Sequence, residues 1–182
     1  VPLFTSPATF AVGATLGAAT LNTQLRDNTT ALYESLQSRA YNSANVSINN
    51  NTWTTFLFNT NAYDTATARG YSDPIHSTSS VTGRFTAPIS GYWHVGATVQ
   101  FATNTTGARG IRGVHSNGTI IRCQDYKSAS VGEVTCTCSS LVYLAGAEYM
   151  TWEVFQNSGG AIDALRQPDY STVAWMTFHG GA

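Results

Sequence analysis

Three cysteines, Cys123, Cys136 and Cys138, are the residues of this chain with the most chemistry to offer. Cys136-Thr-Cys138 sets two thiols at i and i+2, on one face of a strand, because strand side chains alternate with period two. Cys123 stands on the preceding strand, and an antiparallel turn near Ser130 would bring it close to Cys136. Three outcomes stay open: a cross-strand disulfide, a soft-metal site short of a fourth ligand, and three buried, inert thiols. An odd count is no disulfide framework and leaves the compartment open. The histidines, His76, His94, His115 and His179, are far apart, and none has a second ligand at a zinc-type spacing. Catalysis needs a nucleophile, a base and an electrophile converging on one pocket. No phosphate loop, nucleotide fingerprint or Gly-x-Ser-x-Gly elbow occurs either. His94, on a strand face, reads as a hydrogen-bonded structural residue. The expectation is a protein without catalytic residues, cofactor or metal.

The elements that must position these groups are strands. The chain has 182 residues, 42% of them hydrophobic, enough for one sizeable core beside a small appendage. Net charge is −1 and only 10% of residues are charged, against a usual quarter. Abundant Thr, Asn, Ser and Gly therefore cover the surface with neutral hydrogen-bonding groups. Aromatics at 12% rule out the composition of a disordered chain. The nine Lys and Arg are scattered, which argues against nucleic acid as a partner. No apolar run approaches the roughly 20 residues of a helical membrane span, so no membrane insertion is expected. Val1 opens the chain without Met, and removal of an initiator Met is the simplest account, a cleaved leader the alternative.

The clearest strand pair runs from Val81 to Phe101. Phe85 and Ala87 alternate on the first strand, and Pro88-Ile-Ser-Gly91 makes the corner. Pro88 presets φ and has no N–H to waste, while Gly91 tolerates a tight bend. Trp93, Val95, Ala97 and Val99 then share one face, and Tyr92, His94, Thr98 and Gln100 the other. Phe85-Thr-Ala-Pro-x-x-Gly-Tyr-Trp93 resembles the central signature of the C1q-like jelly roll, which shares its architecture with tumour necrosis factor. The resemblance implies an all-β, C1q/TNF-like jelly-roll sandwich over roughly residues 41–180.

The rest of the chain fits strands spaced every ten or so residues without intervening helices. Val46 and Ile48 alternate, Asn49-Asn-Asn51 turns the chain, and Trp53, Phe56 and Phe58 begin another strand. Asn59–Asp64 reads as a loop of Asx-turn formers, Thr65–Ser80 as an insert longer than the family pattern, and Asn104–Gly107 as a turn. Ser116-Asn117-Gly118 is a strong hairpin signal. Val134–Leu144 and Tyr149–Phe155 are strands joined by Ala145-Gly-Ala-Glu148, which resembles the family's Leu-x-x-Gly-Asp turn with its acid displaced. Tyr170–Phe178 is similar to the family's terminal strand, with Val173 where an aromatic is expected. Calcium sites of such heads use loop acids. Asp125, Glu133 and Asp163 match no motif closely enough to take that role. Five Asn-x-Ser/Thr triplets, at Asn28, Asn45, Asn50, Asn104 and Asn117, follow from the Asn- and Thr-rich composition.

The first 39 residues read differently from the head over 40–182. In residues 1–17 Pro2, Pro7, Gly13 and Gly17 interrupt any period, yet Leu3, Phe4, Phe10, Val12 and Leu16 are apolar. This predicts an extended arm that buries those side chains against another protein. Thr20 is a candidate N-cap, followed by Leu21, Leu25, Asn28, Leu32 and Leu36 at spacings of three and four. That narrow stripe predicts a trimeric helical stem, with Asn28 as the polar seam residue that fixes register. Leu21-Asn22 followed by Arg26-Asp27-Asn28 is similar to N-terminal segments of tailed-phage virion proteins.

Together the two resemblances imply a homotrimeric virion protein of a bacteriophage. Its arm would anchor it to capsid or tail proteins, and its head would bind a host surface glycan or protein or decorate the capsid. C1q-like heads pack three jelly rolls side by side, and Tyr92, Tyr149 and Trp175 are candidates for that interface. The alternative is a secreted C1q-like recognition module of cellular origin, although no collagen Gly-x-y stalk is present.

Overall fold

The computed structural model describes residues 13, 15, 17–28, 35–118, 121–166 and 172–181. Its strands are β1 (Gln37–Tyr41), β2 (Val46–Ile48), β3 (Thr54–Thr55), β4 (Thr60–Asp64), β5 (Arg84–Thr86) and β6 (Gly91–Phe101). They continue with β7 (Asn104–His115), β8 (Ile121–Ser130), β9 (Val134–Leu144), β10 (Tyr149–Gln156), β11 (Ile162–Ala164) and β12 (Val173–Gly180). One sheet runs β9-β6-β12-β1-β4, with β11 and β2 continuing from the far end of β6. The second runs β8-β7-β10, and β3 and β5 share the other edge of β10. All pairings within these ladders are antiparallel.

The chain crosses repeatedly from one sheet to the other, the winding of a jelly roll. Between the sheets lies a single core. From the first sheet come Trp93, Val95, Ala97, Val99 and Phe101, all fully buried on alternate positions of β6. From the second come Met150, Trp152 and Val154 of β10, equally buried, and Phe56, Phe58 and Phe85 fill the end beside them. The rings of Phe56 and Phe58 meet edge to face at 5.0 Å, a favoured aromatic geometry.

Several expectations are corrected. Leu36, expected in the stem seam, is fully buried in the core of the head, and its carbonyl accepts the Phe178 N–H at 2.8 Å. Leu36, Ser38 and Ala40 share the inward face of the segment leading through β1, so the head starts ahead of the boundary at 39/40. Asn59–Asp64 is mostly strand: β4 is an edge partner of β1, with no apolar alternation because neither face is fully buried. Residues Asn104–Gly107 belong to β7, where the ladder shifts register between Asn104 and Ala108. Gly107 has φ 76° there, and a Cβ on it would overlap the Asn157 carbonyl, so only glycine fits this bulge. The strand expected from Trp53 to Phe58 contributes only Thr54–Thr55 to a ladder, although Phe56 and Phe58 are buried as their types demand.

The helix starts at Ala18 with Gly17 as its N-cap rather than Thr20. It is α-helical over Ala18–Leu21 and π-wound over Asn22–Asp27, and the Thr23 hydroxyl donates back to the Ala19 carbonyl at 3.1 Å. Leu21 and Leu25 are exposed, 63% in the case of Leu25, and Asn28 is partly buried. Leu32 and the arm residues Leu3, Phe4, Phe10, Val12 and Leu16 lie outside the described residues.

Candidate interaction surface

A sandwich of two sheets has two outer faces, and here they differ in chemistry. On the first sheet, strict alternation sends Tyr92 and His94 of β6 outward, along with Leu141 and Tyr143 of β9. Register places Tyr92 opposite Tyr143 and His94 opposite Leu141. The two tyrosine rings meet edge to face at 5.7 Å. Tyr92, Leu141 and Tyr143 are 44%, 53% and 45% exposed. Such exposure on one side of a cross-strand cluster leaves a contiguous apolar patch open to solvent.

Trp175 extends that patch. It lies outward on β12, opposite Gly96 of β6 on one side and Arg39 of β1 on the other, and Arg39 in turn faces the exposed Tyr63 of β4. A Cβ at position 96 would overlap the Trp175 ring, so the absent side chain is what lets the indole settle against the sheet. The far end of the face turns polar, where the hydroxyls of Thr98 and Thr137 bond at 2.8 Å.

The structure therefore brings two of the expected interface residues together, Tyr92 and Trp175, and separates the third. Tyr149 lies on β10 in the second sheet, with the Arg84 guanidinium 4.8 Å from its ring centroid. Beside this pair is an open depression of about 410 Å³, lined by Thr55, Leu57, Thr82, Arg84, Tyr149 and Thr151. Leu141, Tyr143 and Tyr63 escaped the sequence reading. For the first two the signal was present: they alternate with the inward Val142 and Leu144 on β9.

The chemistry-bearing residues are scattered over the molecule. His76 is wholly buried, with Nδ1 2.6 Å from Asn61 Oδ1 and Nε2 3.1 Å from the Thr82 carbonyl. Burial holds its pKa below the ordinary histidine value, against smaller opposing effects of the Thr82 carbonyl and the Asp64 charge. His115 is buried near Glu148, His94 is exposed on the outer face, and His179 is exposed on β12. Among the described residues no group of three or more His, Cys, Asp or Glu is placed to hold a metal, and Asp125, Glu133 and Asp163 form no such group. Arg109 is fully buried and its guanidinium donates to the carbonyls of Asn104, Thr106 and Ala108. It thereby braces the bulged start of β7, and burial lowers its pKa.

The cysteines depart from the expected pairing. β8 and β9 belong to different sheets, so they form no ladder, and Cys123 meets Cys138 at an Sγ–Sγ separation of 2.7 Å. Cys136 points into the core, and burial with the nearby Asp125 charge pushes its thiol up to about 12. The contact between the two thiols lowers the pKa of Cys123 and raises that of Cys138, which burial raises further.

No family model and no curated protein matches this chain. Solved structures do. An Eiger TNF from S. frugiperda superimposes with a TM-score of 0.57 at 12% identity, over 82% of this chain and 95% of that one. Murine APRIL at pH 5.0 gives 0.57 at 12% identity, over 80% and 99%. The head is a C1q/TNF-like jelly roll. That assignment concerns the fold, and it covers the region in which the Phe85–Trp93 signature lies.

Proposed function

We propose that the chain is a homotrimeric, non-enzymatic particle protein of a bacteriophage, with the jelly-roll head facing outward and the N-terminal segment attached to the virion. The observation that carries the oligomeric part is the outward apolar face of the first sheet, where Tyr92, Leu141 and Tyr143 are exposed and Trp175 is half-buried. Burying a side chain such as Leu141 is worth about 1.5–3 kcal/mol, and three copies turning this face to a common axis would each bury it. The second sheet would then face outward, presenting the Arg84–Tyr149 depression to a host-surface glycan or protein.

Attachment rests on the sequence of residues 1–28 and on Leu21 and Leu25, both exposed among the described residues. A second reading, a secreted recognition module of cellular origin, is favoured by the likeness in fold to Eiger TNF and APRIL. Two measurements decide. Light scattering of the full chain should give three times its 19.4 kDa mass; a stable monomer would overturn the trimer. Mass spectrometry of purified phage particles should find the chain as a stoichiometric component, and its absence from them would favour the second reading.

A further inference from the structure

Cys123 and Cys138 sit where two strands touch without sharing a ladder. β8 bonds to β7 in one sheet and β9 to β6 in the other, so this edge of the sandwich is closed by side chains alone. Cys123, Asp125 and Lys127 alternate on the side of β8 that meets β9. Asp125 Oδ2 accepts the Thr137 N–H at 2.9 Å, and Lys127 Nζ donates to the Thr135 carbonyl at 2.6 Å. The third contact in the row is the thiol pair, 2.7 Å apart.

We propose that Cys123 and Cys138 form a redox staple between the two sheets, closed by exchange with a low-molecular-weight disulfide such as oxidised glutathione. Cys123 is the attacking group: it is partly exposed, so a small disulfide can reach it, whereas Cys138 is buried behind it with its Sγ 2.7 Å away, placed to resolve the mixed disulfide. The thiolate attacks one sulfur of the small disulfide and expels the other as a thiolate. Cys138 then loses its proton, attacks the Cys123 sulfur of the mixed disulfide and releases the second small thiol. Two protein thiols are oxidised, one small disulfide is reduced to two thiols, and both protons leave with them. Cys136 takes no part. It has no sulfur partner in the structure and, buried beside Asp125, it stays protonated.

The proposal is independent of the trimer and of the virion. The folded full chain is incubated with excess oxidised glutathione, then alkylated, digested without reduction and mapped by mass spectrometry. The expected result is a Cys123–Cys138 linked peptide, with free thiols falling from three to one. Cys136→Ser should form the same link. Cys123→Ser and Cys138→Ser should form no internal link, while their melting temperatures under reducing conditions report that they fold. Closing the loop should raise the melting temperature of the wild type by ~5 °C or more. Three free thiols persisting in the native wild type, with a urea-unfolded control fully exchanged, would overturn the proposal. So would a link that contains Cys136.

Discussion

The Trp175 indole occupies the space that a Cβ on Gly96 would need, and the two residues face each other across the β6–β12 ladder. A missing side chain on one strand thus sets the height of an aromatic ring on its neighbour. If the outer face of the first sheet is the trimer interface, its flatness depends on this pair. Gly96→Ala should push the ring outward, at about 1–3 kcal/mol for the added bulk. Sedimentation should then show association weakened about tenfold or more, equivalent to 1.4 kcal/mol, with an unchanged circular dichroism spectrum. Unaltered association would remove Trp175 from the interface.

The two outer faces make opposite predictions. Leu141→Glu places a charge in the centre of the apolar patch, and burying an unpaired carboxylate costs far more than the lost leucine contact. The variant should run as a monomer. Arg84→Ala, on the second sheet, should leave the mass unchanged. If Arg84→Ala dissociated the protein and Leu141→Glu did not, the faces would be assigned the wrong way round.

Much of the fold was legible because period two survives wherever one face is buried. β6, β9 and β10 alternate so regularly that their inward residues follow from the sequence. What alternation does not contain is which sheet a strand joins. The turn after Ser130 looks the same whether its flanking strands pair or cross between sheets, so Cys123 was expected beside Cys136 and sits beside Cys138. The same gap put Tyr149 with Tyr92 and Trp175, although it belongs to the opposite sheet. β4 was unreadable for another reason: an edge strand with both sides partly wet has no apolar code to read.

Leu36 shows how two periods collide. Counted from Leu32 it continues a helical spacing of four; counted forward to Ser38 and Ala40 it begins a strand face, and the structure takes the second. Leu36→Ala should therefore destabilise the head itself by about 2–5 kcal/mol, the cost of a core cavity. Urea unfolding of a fragment starting at residue 35 would measure it. An effect confined to the full-length chain would return Leu36 to the stem.

Attachment has its own test. Leu3, Phe4, Phe10, Val12 and Leu16 would bring a gross gain of about 10 kcal/mol on burial, offset by ordering at roughly 1–2 kcal/mol per residue. Ordering all 17 residues at that rate would exceed the gain, so the apolar side chains anchor the arm only together with backbone hydrogen bonds to the partner, and arms joined in a trimer then act together. Deleting residues 1–17 should leave the head folded and trimeric and abolish incorporation into particles. Normal incorporation, assayed on purified virions, would show that the arm is not the anchor.

His76 gives the head a pH dependence whose sign follows from its surroundings. Both ring nitrogens face oxygens, Asn61 Oδ1 and the Thr82 carbonyl, and the ring packs on Phe85 at 4.6 Å. Asn61 is held in this orientation by its own Nδ2 donating to the His76 carbonyl at 2.9 Å. The Thr82 carbonyl and the Asp64 carboxylate favour the charged ring, while burial opposes it more strongly and leaves the pKa lowered. The unfolded chain, with an ordinary histidine pKa of about 6.5, therefore takes up a proton before the folded one does. Stability contributed by the neutral ring is complete above that value and is lost as pH falls through it toward the folded pKa. Carboxylates titrate lower, so the window between about pH 7 and 5 belongs to histidine. The melting temperature should fall across that window, and His76→Gln should flatten the part of the slope due to this ring. A His76-dependent rise in melting temperature on acidification would mean that the paired acceptors outweigh burial, reversing the sign.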